Sequence, residues 1–182
     1  METTERRSRV PLLVSRILRV RREALQAEAM SGIVLSIDPS IRNTGWAQFR
    51  GGEKQGSGVI RTQGTDDFAR IRSIVGAVML LIPSGGCDVV IEVPPAFTYA
   101  RSARGAKGLN AGSMQKLNWV VGAICTAAAL RCSRVHPVSP AEWKGCRSKA
   151  WDKAISGKRS SDEADAIGIG EWWLRIGGRV RT

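Results

Sequence analysis

The segment Ile33-Val34-Leu35-Ser36-Ile37-Asp38-Pro39-Ser40-Ile41-Arg42-Asn43-Thr44-Gly45-Trp46 is the most informative in the chain. Ile33 to Ile37 is a short run of β-favouring residues that stops at the turn signal Asp-Pro-Ser. Gly45 to Arg50 alternates apolar and polar side chains up to Gly51-Gly52, so two strands joined by a turn are expected. Asp38 is the anomaly. It closes a strand of the buried type, where an unpaired charge is costly.

Beyond this segment the pattern continues as a mixed α/β chain. Gly58 to Arg61 reads as a third strand. Asp66 to Ile82 carries Phe68, Ile71, Ile74, Val75, Val78 and Leu81 at helical spacing and is stopped by Pro83 and Gly85-Gly86. Asp88 to Glu92 is a fourth strand, broken by Pro94-Pro95, and a polar, glycine-rich loop runs from there to Gly112. Ser113 to Leu130 is apolar around most of its circumference, the signature of a central or interface helix. Arg134 to Val138 makes a fifth strand, Pro140 to Ile155 one or two short basic helices, and Ser161 to Ile176 the final helix. Three strands and a helix, then alternating strand and helix, describe a mixed sheet flanked by helices. No repeat and no second domain stand out.

Residues 1–29 differ in kind. They hold seven Arg and four Glu, with apolar residues at Val10, Val14, Ile17, Leu18 and Leu25 in an imperfect helical stripe. This reads as a basic helical appendage to a main domain spanning residues 30–182, and Met30 stands just before the first strong strand. A cleaved transit peptide fits less well, since such peptides are poor in acids.

The 182 residues suit one domain. With 43% apolar and 24% charged residues, the composition is that of an ordinary folded chain and excludes a disordered basic tail. The balance of 28 Lys and Arg against 16 Asp and Glu, formally +12, points to a polyanionic partner. Cys87, Cys125, Cys132 and Cys146 share no CxxC spacing and His136 is the only histidine, which argues against a zinc finger and leaves free thiols in a reducing compartment. No apolar run approaches the roughly 20 residues that span a bilayer. The expectation is a soluble, cytoplasmic protein.

Four acids carry the chemistry. Asp38 and Glu92 each close an apolar strand, and neighbouring parallel strands would set them side by side. Asp162 and Asp165 are three apart on the last helix, hence on one face. Singly, each has a plainer reading: Asp38 as a turn starter, and Asp162 with Glu163 as first-turn acids, with Ser160 and Glu163 as a capping box. Glu92 is harder to explain so, because Glu is depleted from strands. Together they form a self-repelling cluster that a shared cation would relieve. An all-oxygen set suits Mg²⁺ or Mn²⁺, and two such ions can serve an in-line phosphoryl displacement. A basic protein with such an acidic site points to a nuclease.

Three pieces resemble the RuvC family of Holliday-junction resolvases, in the RNase H-like superfamily: Ile37 to Trp46, with Asp38-Pro39-Ser40 and Thr44-Gly45; Ile91-Glu92; and Asp162-Glu163-Ala164-Asp165-Ala166-Ile167. Pro140-Ala141-Glu142-Trp143-Lys144-Gly145 is similar to the same segment of phage-encoded members. The resemblance covers roughly residues 33–176, with Ser40 in place of the usual Gly and a short stretch between Lys144 and Asp162. It implies a five-stranded RNase H-like sheet, three strands antiparallel and then two parallel. It also implies a catalytic and metal-binding tetrad of Asp38, Glu92, Asp162 and Asp165 with two Mg²⁺ or Mn²⁺ ions, a homodimer and a four-way DNA junction as substrate, in a bacterial or phage-infected cell.

The basic residues fit. Between Tyr99 and Lys116 stand Arg101, Arg104, Lys107 and Lys116 with no acid, interleaved with glycines, and Phe97 or Tyr99 offers a wedge against an unstacked base. Lys144, Arg147, Lys149, Lys153, Lys158 and Arg159 form a second cluster suited to backbone phosphates. The competing readings are a nuclease of forks, flaps or RNA–DNA hybrids, and a junction-binding protein without catalysis. An actin-like nucleotide binder would need a second such domain and a longer chain.

Overall fold

Strand β1 (Ile33–Asp38) is buried along its first five residues and takes the middle of a five-stranded sheet. The computed structural model describes residues 32–94, 111–131, 133–145 and 161–176. The basic appendage, Phe97, Tyr99, Arg101, Arg104, Lys107, Arg147, Lys149, Lys153, Lys158 and Arg159 lie outside the described residues. The elements are β1, β2 (Asn43–Arg50), β3 (Glu53–Arg61), α1 (Asp67–Leu81), β4 (Asp88–Glu92), α2 (Ala111–Leu130), β5 (Arg134–Val138), α3 (Pro140–Lys144) and α4 (Ser161–Arg175).

The sheet order is β3-β2-β1-β4-β5. β1 pairs antiparallel with β2, Ile33 opposite Arg50 through Asp38 opposite Gly45, and β2 pairs antiparallel with β3. β4 runs parallel to β1 and β5 parallel to β4. This is the mixed sheet expected from the sequence, three strands antiparallel and two parallel. β2 and β3 meet at Gly51 and Gly52, whose φ of 59° and 89° suit a two-residue hairpin turn that non-glycine residues adopt only with strain. β3 is longer than Gly58 to Arg61. Its first third, Glu53 to Gln55, is an exposed edge with no apolar alternation to announce it.

Because side chains alternate across a strand, β1 feeds two cores. Leu35 and Ile37 join Val89 and Ile91 beneath α1 and α2, through Ile74, Val78, Val120, Ile124 and Ala128. Val34 joins Phe49, Val90, Val138 and Trp143 beneath α4, through Ile167, Ile169 and Trp173. Each fully buried aliphatic side chain in these layers contributes about 1.5–3 kcal/mol before conformational entropy is subtracted. Helix α1 starts where Asp66 accepts a hydrogen bond from the Phe68 backbone N–H. α2 is covered on one side only. Trp119 remains 39% exposed and stacks on Phe68, 69% exposed, with ring centroids 5.4 Å apart. Among the described residues no helix is long and apolar enough to cross a membrane, and Cys87 and Cys125 are free thiols.

Candidate active site

The alternation that splits the core also aims the acids. Asp38 has the parity of Val34 and Ser36, and Glu92 that of Val90, so both belong to the α4 side of the sheet. Ile37 pairs with Ile91, which puts Asp38 and Glu92 on the next rung of adjacent parallel strands.

The turn after Asp38 is locked by Thr44, a buried residue whose hydroxyl donates to the Ser40 carbonyl at 2.6 Å and accepts from the Ser40 N–H at 3.2 Å. The spacing between Asp38-Pro39-Ser40 and Thr44-Gly45 follows from this contact. Helix α4 then descends onto β1 and β2. The buried Ser36 hydroxyl lies 2.7 Å from the Ala166 carbonyl and 3.1 Å from that of Ala47. A Cβ at Gly45 would sit 2.0 Å from the Asp162 carbonyl oxygen, and one at Gly170 would sit 2.2 Å from the Phe49 ring. These contacts bring the first turn of α4 against the end of β1. Glu163, which the sequence offered as half of a capping box, accepts a hydrogen bond from Ser57 on β3 at 2.7 Å.

The result is a mutually repelling cluster. Burial pushes the Asp38 carboxyl up to about 8, and the charges of Glu92, Asp165 and Asp162 push in the same direction, in that order, against the opposing pull of Lys144. Lys144 was read as a phosphate contact. Its ammonium stands within the cluster, 3.2 Å from Asp165 Oδ2 and 3.6 Å from Glu92 Oε2. Partial burial alone would lower its affinity for a proton, but Glu92 and Asp165 outweigh that and raise it.

Trp143 was quoted in the sequence but given no role. It is fully buried, and its indole N–H donates to Glu92 Oε2 at 2.6 Å. α3 delivers both residues. It begins with Pro140 in its first turn, and the Ser139 N–H donates to Glu142 Oε2 at 2.7 Å, half of a capping box. The available signal was a tryptophan inside a basic segment: a buried indole N–H needs an acceptor.

Lys116 pairs with Asp67 at 2.7 Å, so α2 presents it to α1 and not to the carboxylates. His136 lies midway along β5, opposite Val90, and with Arg134 it holds Asp88 at the start of β4, its ring 4.4 Å from that of Trp173.

The donor set is chemically suited to a hard divalent cation: four carboxylates, a mutual repulsion that needs a positive charge, and an ammonium already bridging two of them. Among the described residues, however, no three acidic, histidine or cysteine side chains converge into a ready-made metal cage.

The architecture is that of the RNase H-like α/β class, and within it the fold is RuvC-like. Thermus thermophilus RuvC in complex with a Holliday-junction substrate superimposes with a TM-score of 0.60 at 19% identity, over 80% of this chain and 96% of that one. A second Thermus thermophilus RuvC structure gives 0.56 at 23% identity with the same coverage. No protein-family model and no curated protein matches the sequence.

Proposed function

We propose that this chain is a structure-selective DNA endonuclease that resolves four-way junctions by metal-dependent hydrolysis of backbone phosphodiesters. The observation that carries the reading is the gathering of Asp38, Glu92, Asp165 and Asp162 on the α4 side of a RuvC-like sheet, with Asp38 pushed up to about 8 by its surroundings. Residues 30–182 form the nuclease domain in this reading, and residues 1–29 a basic appendage.

In the reaction a water oxygen bonds to phosphorus and one phosphorus–oxygen bond of the backbone breaks. Two Mg²⁺ or Mn²⁺ ions, when bound, would supply activation of that water and neutralisation of the leaving oxygen. The chain provides the rest. Asp38, Glu92, Asp162 and Asp165 are the holding groups, and the Trp143 indole anchors Glu92 through Oε2. Phe97, Tyr99, Arg101, Arg104, Lys107, Lys149, Lys153 and Lys158 engage the junction, the cations through phosphates. A second copy completes the enzyme, because paired cuts on a twofold substrate call for two symmetry-related sites. The exposed Phe68–Trp119 stack on the α1–α2 side is the apolar surface available to it.

The test is incubation of the purified protein with a synthetic four-way junction, a fork, an RNA–DNA hybrid and a linear duplex, each with Mg²⁺, Mn²⁺ or chelator. Paired, metal-dependent nicks in the junction alone are expected. Cleavage confined to forks or hybrids would redirect the substrate assignment, and no metal-dependent cleavage of any substrate would overturn the reading.

A further inference from the structure

Lys144 is held in place from both sides. Its backbone follows the fully buried Trp143, whose indole is bonded to Glu92, and its Nζ lies 4.9 Å from the centre of that indole. Its ammonium bridges Glu92 and Asp165, which belong to different elements, β4 and α4. Yet its side chain is 42% exposed, so a route to solvent stays open without any movement of the backbone.

An ammonium and a divalent cation are drawn to the same carboxylate oxygens by the same charge, and the space between Glu92 and Asp165 cannot hold both without strong like-charge repulsion. We infer that Lys144 is a built-in competitor of divalent metal: it bridges Glu92 and Asp165 before an ion arrives and swings outward along its exposed flank when one binds. The inference rests on the metal-site reading above and adds a regulation to it. The lysine pre-assembles the carboxylates, at the expense of metal affinity. It also couples the two ligands of the enzyme. A backbone phosphate that attracts the outward lysine favours the metal-bound arrangement, and by linkage the metal favours phosphate binding to the same degree.

Calorimetric titration of Mn²⁺ into the full-length protein, without DNA, tests this directly. Lys144→Gln and Lys144→Met should bind Mn²⁺ about 2- to 30-fold more tightly than wild type, the range expected when two partly exposed ion pairs no longer have to be broken. Lys144→Arg, which keeps the cation, should stay close to wild type. So should Lys54→Gln, which removes one charge from the exposed edge strand β3. In chelator both neutral variants should melt below wild type, with a larger Mn²⁺-induced rise.

Unchanged or weaker Mn²⁺ binding in Lys144→Gln and Lys144→Met would overturn the inference, as would an equal gain in Lys54→Gln, which would mark a general effect of net charge. If wild type binds Mn²⁺, Asp38→Asn loses that binding and the Lys144 variants match wild type, only the competition falls. If wild type binds no Mn²⁺ at all, the metal-dependent reading falls with it.

Discussion

Asp38→Asn should make the metal-free protein more stable, although it removes a residue assigned to the active site. Asparagine reproduces the neutral form of the carboxyl, which the surroundings favour in the folded state. In wild type, Asp38 moves from an ordinary 3.8 to about 8 on folding. Its favourable contribution is therefore complete below pH 3.8 and is lost progressively as pH rises to about 8. At roughly 1.4 kcal/mol per pH unit this sets a ceiling of about 5–6 kcal/mol. Asp38 retains some solvent contact, and water and side-chain movement relax such clusters, so a gain of about 2 kcal/mol is the working expectation. That corresponds to roughly 4–8 °C in Tm for a domain of this size.

The assay is thermal unfolding of both proteins in chelator between pH 4.5 and 9. The stability difference should be small at the acid end, grow through neutrality and level off above pH 8, while titrating groups remote from the cluster cancel between the two proteins. Mn²⁺ should then stabilise wild type more than the variant and narrow the gap. A difference independent of pH, or a variant less stable than wild type at pH 8, would refute the account of Asp38 as a buried, repelled carboxylate.

Trp143→Phe preserves most of the buried volume but removes the donor to Glu92; junction cleavage should fall at least about tenfold, consistent with a lost hydrogen bond to a charged group of about 1.5–3 kcal/mol, while junction affinity measured by gel shift stays near wild type. Gly45→Ala would drive a Cβ into the Asp162 carbonyl at 2.0 Å; the shift of α4 should cost about 1–3 kcal/mol or more in denaturant unfolding, and slow cleavage as well. Junction affinity should fall steeply with salt, by about 0.9 in log–log slope for each phosphate neutralised, and Lys149→Glu or Lys153→Glu should reduce that slope. A flat salt response would count against the nucleic-acid interface.

Much of the architecture is legible in local patterns. Apolar runs ending in Asp38 and Glu92, the helical spacing from Phe68 to Leu81 and the Gly51-Gly52 turn are short-range signals, and they yield the right elements in the right order. Edge strand β3 is the exception at its start: Glu53 to Gln55 are held by pairing with β2 and not by burial, so no period-two hydrophobic signal exists there. The motif that ends in Thr44-Gly45 was visible, but its cause was not. Thr44 closes the turn through Ser40, and Gly45 makes room for a helix more than a hundred residues further along the chain.

Asp38 and Glu92 stood out by residue type and position, since an acid closing a buried strand is conspicuous in one dimension, whereas Asp162 and Asp165 showed only a shared helix face. The electrostatics of the four were not legible, because a charge's environment depends on distances between segments remote in sequence. Trp143 and Lys144 illustrate this best. As a string they read as one aromatic and one cation of a basic patch. Packing α3 behind β4 and beneath α4 turns the first into the anchor of Glu92 and the second into the counter-ion of Glu92 and Asp165. Periodicity settles which side of the sheet a residue occupies, but the approach of another element settles which charge it meets there.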